Sequence, residues 1–170
     1  QAVTATLGER AHSVAADVGT DEGMTRVMSA IERIGMSVSV LVNNAGLHHR
    51  GAFENNEADP LASMVDVNLR APIRLSRLLL PQIQSTRGAI VNVASLAGCV
   101  PVPNSAVYSA TKFGLRAFSV ALAHELAPNG VTVSLVSPGP VDTGFIMDDI
   151  ESVSDLTFSQ PIVTAEAVAK

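Results

Sequence analysis

The stretch that decides the fold runs from Gly88 to Lys112 and reads GAIVNVASLAGCVPVPNSAVYSATK. It begins with a short apolar run, Ala89 to Ala94, whose β-branched residues predict a buried parallel strand. Ser95 follows where that run ends, and open α/β sheets bind their ligands at the carboxyl ends of strands. After a loop of Gly, Pro and Asn residues, Tyr108 and Lys112 stand four apart in a helical pattern and share one face. The stretch therefore brings a hydroxyl, a phenol and an ammonium group together.

Strand and helix patterns alternate along the chain, which is typical of an α/β fold with a doubly wound parallel sheet. Besides the strand Ala89 to Ala94, we expect strands at His12 to Val18, Val38 to Val42 and Val131 to Val136. The helical patterns cover Gln1 to Gly8, Asp21 to Ile34, Leu61 to Ile83, Tyr108 to Leu126 and a last helix that Thr164 could cap. We expect the helix Leu61 to Ile83 to bend near Pro72 and to end near Pro81.

Composition narrows the classes of function. A chain of 170 residues predicts one domain over residues 1–170 with room for a core. The net charge of −5 and the lack of a basic cluster argue against nucleic acid as a partner. The longest apolar runs are too short to cross a bilayer. The single cysteine, Cys99, cannot form a disulfide within the chain, which favours a reducing, cytoplasmic location.

Four motifs follow one another in an order that resembles the short-chain dehydrogenase/reductase family. They are Asn-Asn-Ala-Gly at 43–46, Ser95, Tyr-Ser-Ala-Thr-Lys at 108–112 and Pro-Gly-Pro-Val-Asp-Thr at 138–143. The resemblance covers nearly the whole chain and implies a Rossmann-like sheet. In that family two further strands and a glycine-rich phosphate turn would lie between His12–Val18 and Val38–Val42. We therefore expect a fragment of a longer enzyme, whose incomplete sheet lacks the first two strands and the last one and exposes an apolar edge at Val38–Val42.

The resemblance also implies an activity, the transfer of a hydride between NAD or NADP and a carbonyl or secondary alcohol. Tyr108 would be the general acid or base, Ser95 would hold the substrate oxygen, and Lys112 would orient the ribose. Bringing a phenol from a pKa near 10 to about 7 requires roughly 4 kcal/mol. The Lys112 charge, and a positive nicotinamide, would supply part of it.

Asn68 is the fourth expected catalytic residue. Pro72 stands four residues further on and has no N–H, so the backbone carbonyl of Asn68 loses its helical partner and can hold a water. The resemblance implies that this water continues a proton relay from Tyr108 through Lys112 to solvent.

The resemblance places further residues around the cofactor. Besides Tyr108 and Lys112 these are Asp17 and Val18 at the adenine, Asn44, Ala45 and Gly46 near the ribose, and Pro138, Val141 and Thr143 over the nicotinamide. A turn or capping role for Asp17 is about equally consistent with the sequence. The segment Phe145 to Phe158 would form a mobile lid, and its apolar residues Phe145, Ile146, Met147 and Phe158 favour a hydrophobic alcohol or ketone as substrate.

Several alternatives stay open. The chain could be a scaffold module that has lost cofactor binding, or a family member that catalyses epimerisation or dehydration. His48 and His49 lack the spacing of a metal site, so we expect no metal and place both on a loop near the substrate mouth.

The helices Leu61–Ile83 and Tyr108–Leu126 are apolar on more than one side. The resemblance implies that these two helices form the interface of a homodimer or homotetramer.

Overall fold

The computed structural model describes residues 8–147 and 159–169 and shows a parallel three-stranded sheet flanked by helices. The strands are β1 (Val40–Asn43), β2 (Ala89–Val93) and β3 (Thr132–Val136), side by side in that order. The helices are α1 (Asp21–Ile34), α2 (Ala58–Val65), α3 (Ala71–Ser85), α4 (Ala106–Leu126), α5 (Gly144–Met147) and α6 (Ala165–Val168). Short 3-10 turns occur at Gly8–Arg10, Phe53–Asn55, Leu96–Gly98 and Ala127–Asn129. In this part of the chain no helix is both long and apolar enough to cross a membrane.

The central strand β2 is apolar, and its residues are buried or half-buried in turn. Ile90 is fully buried, and it packs with core residues from α3, α4 and the start of β3: Leu79, Ile83, Leu126 and Val131. At the edge strand β1 the side chains of Val40 and Val42 are 55% and 56% exposed. The expected apolar edge is therefore confirmed for the described residues, and the strands predicted at Val38–Val42, Ala89–Ala94 and Val131–Val136 correspond to β1, β2 and β3.

A chain of buried amides crosses the sheet. Asn43 Nδ2 donates to Asn92 Oδ1 over 2.8 Å, and Asn92 Nδ2 donates to Ser119 Oγ over 2.8 Å. Ser119 in turn donates to the Leu115 carbonyl of α4 over 2.6 Å. Because every one of these polar side chains has a partner, the amides connect β1, β2 and α4 without an unpaired buried group.

The strand expected at His12–Val18 is wrong. These residues are irregular in the structure, and no strand pairs with them among the described residues. A strand needs a neighbour for its backbone hydrogen bonds, and an alternating pattern cannot supply one. The segment instead ends in a turn, in which Asp17 Oδ1 accepts from Gly19 N, and Thr20 Oγ1 then caps α1 by accepting from Gly23 N.

The helix expected at Leu61–Ile83 extends further and contains a wide turn. Asp66–Arg70 form a π turn between α2 and α3, in which Ala71 N donates to Asp66 O, five residues back. Pro72 follows in the first turn of α3. The predicted end at Pro81 is wrong, because α3 continues to Ser85. The buried side chains of Leu79 and Ile83 hold this last part of the helix in the core, which outweighs the hydrogen bond lost at proline.

Two further expectations concern the chain ends. Thr164 caps α6 as predicted, since its Oγ1 accepts from Ala167 N over 3.2 Å. The helical pattern at 1–8 and most of the expected lid fall on residues 1–7 and 148–158, which lie outside the described residues.

Candidate active site

Ser95 lies two residues beyond the end of β2, at the carboxyl edge of the sheet. Its Oγ accepts from Ala97 N over 3.1 Å and so caps the turn Leu96–Gly98. The Ser95 side chain is also close enough to Tyr108, in the first turns of α4, to lower the pKa of the phenol. The structure therefore places the two sequence-predicted hydroxyl groups near each other, and Ser95 caps a turn beside the phenol.

Tyr108 is a buried phenol, with 8% of its surface exposed. Burial raises the pKa of Tyr108, while the hydrogen bond with Ser95 and the positive charge of Arg50 act in the opposite direction. Because burial is the largest of these influences, the pKa of Tyr108 is raised and the phenol stays protonated at neutral pH, whereas the sequence led us to expect a lowered pKa. In this form it can donate a proton to an oxygen beside it.

Lys112 stands one helical turn after Tyr108 and is 4% exposed. Its Nζ donates to the carbonyl of Val93 at the end of β2 over 2.9 Å, and it lies 5.6 Å from the centre of the Tyr108 ring. Burial lowers the pKa of Lys112 to about 8, so the ammonium form still predominates at neutral pH. The site thus holds a positive charge within 6 Å of the phenol ring.

The turn Leu96–Gly98 sits directly on α4 at Lys112. A methyl group added at Gly98 would lie 2.7 Å from the Lys112 carbonyl oxygen and 2.8 Å from its carbon. Only a residue without a side chain allows this approach. Gly98 therefore sets the separation between the β2 end and the helix that carries Tyr108 and Lys112.

Asn68 is fully buried in the π turn, and its side chain contacts two segments of the site. Its amide bonds the backbone of Leu47, and its Nδ2 also donates to Thr111 Oγ1 over 3.2 Å. A methyl group at Gly46 would lie 3.4 Å from Asn68 Oδ1 and 3.8 Å from Lys112 Nζ. The structure therefore brings Asn68, Gly46 and Lys112 together through the side chain of Asn68, whereas the sequence reasoning used its backbone carbonyl. The proton relay stays a prediction.

The other residues expected at the cofactor fall into three groups. Asn44, Ala45 and Gly46 directly follow β1 and adjoin Asn68 and Lys112. The segment with Pro138, Val141 and Thr143 follows β3 and is bound to Val163, which accepts from Asp142 N over 2.8 Å. Asp17 and Val18 lie at the start of α1, where the Asp17 carboxylate serves a turn and Val18 packs near Met24. The cofactor contacts of all three groups stay predictions.

Sequence reasoning named His48 on a loop and Phe145 in the lid, but it placed neither of them, nor Ser105 or Arg50, around Tyr108. His48 stacks on the phenol ring, Ser105 contacts His48, the Phe145 ring lies beside both rings, and Arg50 lies over the Phe145 ring. The pattern placed both histidines on a loop near the mouth of the site, but it contained no signal that one of them meets Tyr108. Ser105, immediately before α4, is the kind of residue that would be assigned to a helix cap.

A family model described as "short chain dehydrogenase" matches residues 1–153, and the chain belongs to that family. Among curated proteins, it is 37% identical over 166 residues to ketoacyl reductase HetN of Nostoc sp., covering 96% of this chain and 58% of that protein. It is 35% identical to retinol dehydrogenase 8 of Bos taurus, covering 89% of this chain and 48% of the relative. The chain thus spans about half the length of the curated relatives that it matches.

Solved structures are similar as well. A short-chain dehydrogenase from Streptomyces avermitilis superposes with a TM-score of 0.76 at 37% identity, covering 84% of this chain and 53% of that one. A 4-hydroxyisoleucine dehydrogenase complexed with NADH and succinate gives a TM-score of 0.77 at 27% identity, covering 92% of this chain and 68% of the other. The parallel sheet flanked by helices is therefore the Rossmann-like fold expected from the sequence.

Proposed function

We propose that the protein is an NAD- or NADP-dependent oxidoreductase that interconverts a carbonyl compound and a secondary alcohol. The observation that carries this proposal is the buried phenol of Tyr108 near Ser95, with the Lys112 Nζ 5.6 Å from the centre of the phenol ring. The relatives named as reductases and dehydrogenases, and the NADH in the 4-hydroxyisoleucine dehydrogenase structure, support the same chemistry.

The residues at the carboxyl edge of the sheet fit a dinucleotide. Gly46 has no side chain beside Asn68 and Lys112, so a sugar can approach its backbone closely. Lys112 Nζ and the Tyr108 hydroxyl are the donors suited to ribose hydroxyl groups. We assign Asn44, Ala45 and Gly46 to the same sugar, Pro138, Val141 and Thr143 to the nicotinamide side, and Asp17 and Val18 to the adenine side. When bound, the nicotinamide supplies or accepts the hydride.

In carbonyl reduction, Ser95 and Tyr108 bind and protonate the carbonyl oxygen of the substrate. Ser95 Oγ donates a hydrogen bond to the carbonyl oxygen and holds it beside Tyr108. As the carbonyl carbon gains a hydride, negative charge develops on that oxygen, and Tyr108 Oη donates its proton there. Lys112 stabilises the phenolate that remains. In alcohol oxidation the same proton returns to Tyr108.

Cofactor titration is the first test of this function. We expect NADH or NADPH to bind saturably, measured by cofactor fluorescence, in both the wild-type chain and Tyr108→Phe. Turnover of apolar ketones should be lost only in Tyr108→Phe, because that variant removes the proton donor and leaves the ring. The proposal fails if neither nucleotide binds, or if Tyr108→Phe turns over ketones at the wild-type rate.

We also propose that the protein assembles into a homodimer or homotetramer through α2, α3 and α4. These helices expose apolar side chains, among them Val65, Leu78, Phe113 and Val120. Light scattering should give a mass of at least two chains, and a monomer would refute the assembly. The cytoplasmic location stays a prediction.

A further inference from the structure

The imidazole ring of His48 lies flat against the catalytic phenol. The centres of the His48 and Tyr108 rings are 3.9 Å apart, and the ring planes differ by 15°. This is the stacked geometry in which one flat ring covers the face of another. Water is therefore excluded from that face of Tyr108 by a side chain from the loop after β1.

The imidazole is itself fixed by a hydroxyl from the helix that carries Tyr108. His48 Nε2 and Ser105 Oγ are 3.0 Å apart, and Ser105 is buried immediately before α4 begins. Since Ser105 is three residues before Tyr108, the histidine is anchored to the same helical turn as the phenol. Movement of the loop relative to α4 would break this hydrogen bond and the stacking at once.

A second aromatic ring adds to the contact from α5. The Phe145 ring centre lies 6.1 Å from that of His48 and 6.2 Å from that of Tyr108. Arg50 holds Phe145 in place, because its Nη2 donates to the Phe145 carbonyl over 2.9 Å and its guanidinium lies 5.9 Å from the ring centre. We call His48, Tyr108 and Phe145 the ring cluster.

We propose that His48 is a positioning residue for Tyr108, holding the phenol in the orientation that meets Ser95 and shielding it from water. This inference rests on the proposed function for its catalytic consequence, but its physical basis is the stacking itself. Without the imidazole, the phenol would gain both rotational freedom and contact with water.

The positioning role predicts the direction in which the pKa of Tyr108 changes when His48 is removed. Burial raises the pKa of Tyr108, so removing the ring that covers it should lower that pKa. Besides His48 itself, Arg50 acts on the phenol through its positive charge and Lys112 Nζ lies 5.6 Å from the ring centre, and both of these side chains remain in every variant below. A change in the pKa of Tyr108 then reports access of water.

The composition allows Tyr108 to be observed alone. The chain has one tyrosine and no tryptophan, so the ultraviolet absorbance of tyrosinate follows only this residue. The test compares wild type, His48→Ala, His48→Phe and His49→Ala across alkaline pH. His49→Ala is the matched control, since His49 lines a small cavity with Phe53 and Asn104 while His48 stacks on Tyr108.

We expect the tyrosine of His48→Ala to ionise at a lower pH than that of wild type, because water then reaches the phenol. His48→Phe, which keeps a flat ring, and His49→Ala should both ionise as wild type does. Equal titration of wild type and His48→Ala would overturn the inference, and so would an equal shift in His48→Phe. It would also be overturned by a wild-type tyrosine that ionises near 10, as an exposed one does.

Kinetics then separate this inference from the proposed function. We expect His48→Ala to lower kcat at least tenfold while the Kd for NADH or NADPH is unchanged, and His48→Phe to restore most of the rate. An inactive wild type would contradict the proposed function, whereas the tyrosinate titration would still decide the stacking. An active wild type with unchanged kcat in His48→Ala would contradict only the positioning role.

Discussion

Asn68 hydrogen-bonds both backbone polar groups of Leu47. The Leu47 N–H donates to Asn68 Oδ1 over 2.7 Å, and Asn68 Nδ2 donates to the Leu47 carbonyl over 2.8 Å. One side chain thus replaces the backbone pairing that a neighbouring strand would give. Through its further bond to Thr111, the same amide connects the loop after β1, the π turn and α4.

We therefore expect Asn68→Ala to lower the stability of the folded protein, independently of any effect on catalysis. The change leaves the Leu47 N–H and carbonyl without their partner, and we expect a loss of about 2–4 kcal/mol in the free energy of unfolding. Urea denaturation measures it. Asn55→Ala, at an exposed position, is the control and should change stability by less than about 0.5 kcal/mol. Equal midpoints for the two variants would contradict this structural role.

Lys112→Met should abolish turnover and yet stabilise the fold at neutral pH. The folded-state pKa of Lys112 is about 8 and its ordinary value is 10.5, so keeping the buried group protonated costs on the order of 3 kcal/mol. Loss of the hydrogen bond to the Val93 carbonyl offsets part of this. We expect a net gain of about 1–3 kcal/mol at pH 7 from urea denaturation.

The pH dependence of that gain provides its check. Between pH 8 and 10.5 the unfolded lysine binds more protons than the folded one, so the stability of wild type rises with pH. Lys112→Met lacks this increase. The difference between the two proteins should therefore shrink across that range, and a constant difference would show that the charge of Lys112 is not its cause.

The direction of the reaction should respond to pH through Tyr108 and Lys112. Carbonyl reduction requires the protonated phenol and the ammonium, and burial raises the pKa of Tyr108 while lowering that of Lys112 to about 8. We expect the rate of ketone reduction to be level near neutral pH and to fall above about 8. Alcohol oxidation requires the phenolate and should speed up as pH rises. Initial rates in both directions test this, and ketone reduction that accelerates from neutral to alkaline pH would contradict it.

Gly98→Ala should push α4 away from the end of β2. The added methyl group would meet the Lys112 carbonyl at 2.7 Å, which the backbone must relieve by moving. We expect a loss of about 1–3 kcal/mol in urea denaturation. Gly139→Ala is the matched control, because its nearest neighbours would be at 3.4 Å and 3.7 Å, in ordinary contact. Equal stability of the two variants would contradict the close packing of Gly98 against the Lys112 backbone.

The sequence predicted those parts of the fold that depend on local pattern. The strand at Ala89 and the helix through Tyr108 follow from periodicity, and the proximity of Ser95 to Tyr108 follows from the order of motifs that the family resemblance supplied. The segment His12–Val18 alternates like a strand, but strand formation depends on a partner that a pattern does not specify. The stacking of His48 on Tyr108 escaped prediction for a similar reason, since it joins two segments far apart in the chain.

The π turn shows a further limit of sequence reasoning. Pro72 correctly indicated a departure from regular helix near Asn68, because proline lacks the N–H that a carbonyl four residues back requires. It did not indicate which side chains the wide turn would bring inward. The position of Asn68 beside Leu47 follows from the tertiary packing of three segments.

The amides of Asn43 and Asn92 also decide how β1 and β2 align. The two residues are direct partners in the parallel pairing, and both side chains are buried. A slip of one residue would turn the Asn43 amide to the opposite face and break its bond to Asn92 Oδ1, at a cost of about 1–3 kcal/mol. Valine-rich strands alone tolerate such slips, since one valine packs much like the next. The polar pair therefore acts against misaligned sheets, penalising the wrong register during folding as well as stabilising the right one.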